Sequence, residues 1–380
     1  MSELIADIET LVRCESPSSD LEAVARSAET VAGVGRRLLG AEPERLVTDG
    51  CTHLRWRFGD GPPRVLLLGH HDTVWPLGSL RTHPFAVEDG ILRGPGCFDM
   101  KAGVVMALHA AAALPDRAGV AILVTGDEEI GSPLSRALIE EEARSCAAVF
   151  VLEASADGGA LKTRRKGVSQ YWIEVEGRAA HAGLEPEKGV NAGIEVAHQI
   201  LAVAALADAG RGTTVVPTAL RAGTTTNTVP AAASVAVDAR VWDVAEQDRV
   251  DRAVRNLAPV LADARIRIAG GINRPPLEAA ASAELFELAD ALAAGLGIGP
   301  LTQAAVGGAS DGNFTAGLGI PTLDGLGAVG GGAHADDEHV VVAELPRRTA
   351  LLAALTESVL AQRSSSTPTN RHRESRTGQR

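Results

Sequence analysis

The stretch LLLGHHDTVWPLG, Leu66 to Gly78, decides how the rest of the chain is read. The apolar run Val65–Leu68 has the length and β-branched or aliphatic character of a buried strand, and Gly69 marks its end. Two histidines and an aspartate follow at once. In an extended segment side chains alternate sides, so His70 and Asp72 face one way and His71 the other. His70 is therefore the candidate metal ligand. Asp72 is placed to orient it, because a ligating histidine passes its other ring proton to a carboxylate or carbonyl. His71 reads as structural or substrate-facing.

Working outward, strand-like and helix-like segments alternate through the N-terminal part. Ala102–Leu114 is an Ala-rich helix, Val120–Thr125 a strand, Pro133–Arg144 a helix and Ala148–Leu152 a strand. That alternation predicts an α/β fold with a mixed sheet flanked by helices. The pattern changes near Arg164. Val168–Glu176 alternates as a half-buried strand, Val190–Leu206 is helical, Ala219–Gly223 and Ser234–Arg240 are strands, Ala245–Leu261 is helical and Arg265–Ala269 is a strand. The order β-α-β-β-α-β predicts a ferredoxin-like α+β unit. An α/β pattern returns after Pro275. The expected organisation is a catalytic domain over residues 1–165 and 275–363, an inserted lid and dimerisation domain over 166–274, and a disordered Ser/Thr/Arg-rich tail over 364–380.

Composition narrows the function classes. The chain has 380 residues, 45% hydrophobic and 22% charged, as in globular proteins. A formal net charge of −12 argues against a general nucleic-acid binder, which needs a basic face. The four cysteines, Cys14, Cys51, Cys97 and Cys146, form no CxxC pair and suit neither a thiolate metal site nor a disulfide framework, so a reducing cytoplasm is the expected home. The N-terminus lacks a basic segment followed by an apolar core, so no signal peptide is expected. No apolar run is long enough to suggest a membrane span. The glycine spacings at Gly33 and Gly295 are not strand-turn-helix dinucleotide motifs.

Ligand-type residues recur at segment ends. GPGCFDMKAG, Gly94 to Gly103, places Asp99 at a helix entrance, where by itself it reads as an N-cap. LVTGDEEIGSP ends a strand in Asp127, Glu128 and Glu129. Adjacent carboxylates at a buried strand end repel one another unless a cation or proton compensates. VFVLEAS puts Glu153 at the end of another apolar strand, and GGGAHADDEHV puts His334 in a glycine-rich loop. In open α/β sheets such ends line the site crevice. Oxygen and nitrogen ligands without cysteine suit zinc, manganese or cobalt.

GHHDTV, GPGCFDMKAG, TGDEEIGS, HAGLEPEKGVNA and GGASDGNFTAGLG, in that order, resemble the dinuclear zinc exopeptidases and deacylases (peptidase family M-twenty). That group includes carboxypeptidase G and other glutamate carboxypeptidases, acetylornithine deacetylase, succinyl-diaminopimelate desuccinylase and aminoacylases. The likeness runs from about Ile5 to Leu360, and GGASDGNFTA and NRPP point to the carboxypeptidase G branch. The resemblance implies a zinc-exopeptidase-type catalytic domain and two divalent metal ions, Zn2+ before Co2+ or Mn2+. It implies that Asp99 bridges the ions, with His70 and Glu153 on one and Glu129 and His334 on the other. Three carboxylates, two divalent ions and a bridging hydroxide then sum to neutrality, which a poorly solvated site tolerates. Glu128 is left over as general base, taking a proton from the water and returning it to the leaving nitrogen.

The same resemblance gives His181 a role in the active site of a partner subunit. By its surroundings alone His181 reads as a surface histidine. Arg274 would hold the substrate's carboxylate through paired hydrogen bonds, Asn227 would stand near the oxyanion, and the Gly307–Asn313 loop, with Gly308 and Ser310, would offer backbone N–H groups. The expected partners are a small-molecule or short-peptide substrate with a free carboxylate and a second copy of the chain through the lid, with no nucleic acid and no membrane. Two positions depart from the family. Met100 follows the bridging aspartate where a second acid is often found, and the lysine that receives a glutamate side chain in carboxypeptidase G has no clean match, Lys162 standing nearest. The expected activity is hydrolysis of a peptide-like amide to release a C-terminal amino acid, with glutamate as the candidate. The alternatives are an N-acyl-amino-acid deacylase and an inactive binding homologue.

Overall fold

The computed structural model describes residues 1–362, so the C-terminal tail expected to be disordered lies outside the described residues. The larger sheet has six strands in the order Glu44–Thr48, Cys51–Arg57, Val120–Thr125, Val65–His70, Ala148–Val151, Thr322–Leu323. The last four run parallel and the first two are antiparallel additions, so the sheet is mixed. Val65–His70, Val120–Thr125 and Ala148–Val151 are buried along their whole length. Alternation explains why the run is continuously apolar. Leu67, Ile122 and Phe150 pack into one core, and Leu66, Leu68, Leu123 and Val149 into another on the opposite face. The first core is closed by helices Ser2–Arg13, Leu21–Leu39, Ala102–Ala113, Ala279–Gly295 and Leu345–Ala361. The second is closed by Arg136–Ala143 and Gly312–Gly317.

Because the central strands are parallel, their C-terminal ends open on one edge. His70 is the last residue of its strand, Gly126 to Glu129 follow the second, and Glu153 follows the third by two residues. The helix Ala102–Ala113 sits close against this edge. A Cβ on Gly103 would lie 2.0 Å from the Leu152 carbonyl oxygen. Only glycine lets the Asp99 loop approach Glu153 so nearly.

The second sheet is antiparallel, ordered Thr214–Ala222, Ala232–Val241, Gly167–Glu176, Arg265–Arg274. Helices Ala192–Ala204 and Val244–Arg255 pack on it around a core of Tyr171, Ile173, Val196, Val235, Val237 and Val250. The chain order is β-α-β-β-α-β, as the alternation predicts. Several boundaries differ from the sequence reading, two of them for identifiable reasons. The helix expected to reach Leu261 stops at Arg255, because the Val260 and Leu261 N–H groups donate to buried Glu195, at 3.1 and 2.7 Å. The helix expected from Pro133 starts at Arg136, because the Leu134 and Ser135 N–H groups donate to Asp127 Oδ2. The strand expected from Ala219 begins at Thr214, continuing through Pro217 with a register shift before Leu220. None of the helices among the described residues is long and apolar enough to cross a membrane.

Candidate metal and catalytic site

His70 is buried, and two acceptors on Asp72 fix its ring. Nδ1 donates to the Asp72 carbonyl at 3.0 Å and lies 3.3 Å from Oδ1. That leaves Nε2 facing carboxylate oxygens, 3.4 Å from Asp99 Oδ1 and 3.7 Å from Glu153 Oε1, with no hydrogen-bond partner among the described residues. Asp72 also binds the acidic loop: Oδ1 accepts from Glu128 N and Oδ2 from Glu129 N, both at 3.2 Å, while Ser18 Oγ donates to Oδ2 at 2.6 Å. One aspartate thus orients the histidine and anchors the turn Glu128–Ile130. His71 points away. Its Nε2 donates to the Thr52 carbonyl at 3.1 Å, and burial pushes its pKa down to about 4.

Asp99 sits between two groups. Its Oδ1 faces His70, and its Oδ2 lies 3.2 Å from His334 Nε2, which is also 3.2 Å from Glu129 Oε2. Two trios, His70–Asp99–Glu153 and Asp99–Glu129–His334, have donor atoms within 4.8 Å of one another and share the aspartate. The N-cap reading of Asp99 does not hold. The peptide bond to Met100 is cis, Asp99 has φ −116° and ψ 95°, and the helix begins at Ala102 with no side-chain cap. The loop is instead held by Glu338, which is buried. Its Oε1 accepts from Phe98 N at 2.9 Å and Asp99 N at 3.0 Å, and its Oε2 from Gly96 N at 2.9 Å and Trp75 Nε1 at 2.6 Å.

The electrostatics call for cations. Burial alone lowers the His70 pKa, but Asp72 and Asp99 overturn this and hold it well above its ordinary value. Hydrogen bonds to Asp99 and Glu129 raise His334 to about 10. Burial, reinforced by Asp99, pushes Glu153 up to about 7. Burial raises Glu128 well above the usual carboxylate range in spite of Arg274. The two histidines and the glutamates Glu128, Glu129 and Glu153 climb where buried negative charge is crowded, while hydrogen bonds from the histidines hold Asp72 and Asp99 low in spite of their burial. Among the described residues the buried Nε2 of His70 and Oε1 of Glu129 have no hydrogen-bond partner. An imidazole lone pair among carboxylates fits a divalent cation.

Of the other expected residues, Arg274 and Gly308 line the cavity at the cluster, and Ser310, His181 and Asn227 do not. Arg274 Nη2 donates to Glu128 Oε1 at 2.8 Å, Asp311 Oδ1 at 2.9 Å and Ser132 Oγ at 2.7 Å, a buried ion pair with the candidate base. Ser310 offers no free N–H, because it donates to Asn313 Oδ1 at 2.9 Å, and its hydroxyl donates to Asp324 Oδ2. Gly308 is exposed and lines the site, its carbonyl accepting from Arg165 Nη1 at 3.0 Å. His181 and Asn227 are exposed neighbours on paired loops and do not line the cavity at the cluster. Asp127 faces the helix start described above, away from the two trios.

The cavity beside the cluster has a volume of about 540 Å³ and brings Lys162, Arg165 and Arg240 to the site. Arg165 grips Asp324 with two hydrogen bonds, at 2.7 and 3.0 Å. The Lys162 ammonium has no hydrogen bond or ion pair among the described residues, and burial and Arg165 lower its pKa. Glu338, Arg165 and Asp311 escaped the sequence reading. The only signal was position: Glu338 stands four residues after His334, and Asp311 lies inside GGASDGNF.

The profile of Peptidase family M20/M25/M40 matches residues 66–358. Carboxypeptidase G2 of Pseudomonas sp. is 30% identical over 369 residues, covering 93% of this chain and 88% of that protein. A succinyl-diaminopimelate desuccinylase of Xanthomonas euvesicatoria is 30% identical over 377 residues, covering 89% and 97%. In fold, the chain is similar to an M20 family metallo-carboxypeptidase from Sulfolobus solfataricus, with TM-score 0.71, 18% identity, and coverage of 94% of this chain and 99% of that one. The family is dinuclear and metal-dependent, and the two trios are the candidate ligands for such a pair. With a metal-dependent hydrolase of amide bonds in view, the chain belongs to peptidase family M20/M25/M40.

Proposed function

We propose that the chain hydrolyses a peptide-like amide and releases an amino acid with a free carboxylate, glutamate being the preferred leaving group. The observation that carries this reading is the cavity itself. Asp99, Glu128, Glu129, Glu153 and His334 line it together with Lys162, whose ammonium has no hydrogen bond or ion pair among the described residues and suits an anionic side chain. His70, Asp99 and Glu153 would hold one divalent ion, and Asp99, Glu129 and His334 the other, with zinc the best match to the nitrogen and oxygen donors. Bound there, such ions supply Lewis acidity toward water and the scissile carbonyl. Glu128, raised by burial and held by Arg274, takes the proton of the attacking water and delivers it to the leaving nitrogen. Asp72 keeps His70 and the Glu128 turn in register with each other.

The expected result is turnover of acyl- and aminoacyl-glutamates by the zinc-loaded protein, loss on chelation and return on refilling. Turnover restricted to acetylated or succinylated basic amino acids would favour the deacylase alternative, to which the desuccinylase relative points.

The reading includes a cytoplasmic homodimer joined through the smaller sheet. Its edge strand Thr214–Ala222 has one side unpaired among the described residues. Val216 and Leu220 on that strand and Ile194 and Leu201 on the adjoining helix are exposed. A long edge with apolar side chains invites a second copy. His181 would then serve the neighbouring site. Co-assembled His181→Ala and Glu128→Gln chains should regain roughly a quarter of wild-type activity, since half the dimers then hold one complete site. Activity no greater than that of the separate variants would remove His181 from the partner's chemistry.

A further inference from the structure

A separate four-stranded sheet, ordered Gly330–Gly331, His339–Val341, Ile91–Arg93, Ala86–Glu88, carries a recess of its own. Leu92 points into the main core, so alternation turns Ala86, Glu88 and Arg93 to the other face. There, with Trp75, His83 and Asp336, they line a volume of about 320 Å³, the size of a small-ligand site. No residue of this lining belongs to the cavity at the metal trios.

The walls offer both signs of charge and two fixed rings. Arg93 stands opposite Ala86 in the hairpin register, which puts Glu88 on the diagonal, its Cα roughly 7 to 8 Å away. The two do not pair. Among the described residues Glu88 has no hydrogen bond or ion pair, and Arg93 has one bond, from Nη1 to the Asp337 carbonyl at 3.4 Å. The Trp75 and His83 rings lie 4.8 Å apart at 55°. Their nitrogens are taken: Trp75 Nε1 donates to Glu338 Oε2 at 2.6 Å, His83 Nδ1 is 2.9 Å from Thr82 Oγ1, and His83 Nε2 is 3.3 Å from Asp336 Oδ1. The carbon faces are thereby set in place before any ligand arrives.

Each wall also runs on to a candidate metal ligand. Trp75 follows His70 by five residues, Gly94 precedes Asp99 by five, and Asp336 follows His334 by two. Glu338 ties them together, holding the Trp75 indole on Oε2 and the N–H of Asp99 on Oε1.

We propose that this recess is an effector site for a free α-amino acid with a flat aromatic side chain, and that filling it tightens the metal pair. The ligand's carboxylate takes the Arg93 guanidinium, its ammonium takes Glu88, and its ring stacks against Trp75. A carboxylate alone would face Glu88 and an amine alone would face Arg93, so like charge disfavours ligands with one charge only. A ring seated on Trp75 steadies the indole, the indole steadies Glu338, and Glu338 sets Asp99, which both trios share. The coupling rests on reading the trios as the metal pair; the binding does not.

The probe is L-phenylalanine, compared with phenethylamine and hydrocinnamate, which each lack one charge. Calorimetry on the zinc-loaded full chain should show phenylalanine bound roughly 10-fold more tightly than either analogue. Arg93→Ala and Glu88→Gln should each lose about that factor, whereas Lys162→Ala, which alters the other cavity, should keep it. Competition with a chelator should find zinc held at least about 5-fold more tightly under saturating phenylalanine. That gain should vanish in Arg93→Ala, where the same amino acid in solution controls for its own affinity for zinc. Trp75→Phe keeps a ring but not the indole N–H, so it should bind phenylalanine without the gain. Binding untouched by Arg93→Ala, phenethylamine or hydrocinnamate bound as tightly as phenylalanine, no measurable binding, or a zinc affinity that does not move would each overturn the effector site. A protein that turns over no acyl-glutamate yet shows the Arg93-dependent linkage would defeat the proposed reaction and support the effector site.

Discussion

Glu128→Gln is expected to retain both metal ions and to lower kcat by roughly 10²- to 10⁴-fold, the range that positioned proton transfer contributes. The substitution conserves volume. Arg274 Nη2, 2.8 Å from Glu128 Oε1, can still donate to the amide oxygen, so the pair with Asp311 and Ser132 stays in place. What disappears is the only carboxylate in the turn that is neither shared between the two trios nor part of one. An amide cannot accept the proton of water, and the leaving nitrogen then departs unprotonated. Because Glu128 belongs to neither trio, the metal content should stay at two ions per chain. Metal analysis alongside kcat checks both halves. A rate close to wild type would take Glu128 out of the proton transfer, and loss of an ion would make it a ligand.

Glu338→Gln should cost about 10- to 100-fold in metal affinity, the usual penalty for disturbing a group that holds a ligand in place. The carboxylate receives four donors, two on each oxygen, and one of them is the N–H of Asp99 itself. Glutamine replaces one oxygen with an NH₂ group. Whichever way the amide turns, two donors face a donor, and buried N–H groups without acceptors are costly. The strain falls on the loop Gly96–Asp99, so the bridging carboxylate loses its setting. Trp75→Phe removes one donor only and should move affinity far less. Competition with a chelator measures this directly. A variant whose melting temperature falls while its metal affinity holds would reduce Glu338 to a packing role.

The pattern of strand ends was readable from the sequence because it is a local matter. Apolar runs of strand length, each broken by glycine or acid, state where a buried strand surfaces. Parallel pairing then turns those exits to one edge, which is how His70, Glu129 and Glu153 come to lie near one another. Alternation likewise separates His70 from His71 before any coordinates are known. Boundaries were less legible where a distant side chain intervened. Glu195 draws off two N–H groups 65 and 66 residues away and ends a helix six residues short of its expected end.

The amino-acid order by itself determined the α/β pattern, the inserted β-α-β-β-α-β unit and the short list of acids and imidazoles, because these follow from spacing along the chain. Tertiary structure alone decided which of those groups meet. It turned Asp127 toward a helix start, gave Arg274 to Glu128, closed the N–H of Ser310 on Asn313, and brought Glu338 under Asp99 from 239 residues away. The reason is physical. A buried charge or N–H group takes the partner that packing delivers, and packing between remote segments leaves no mark on the spacing of either one.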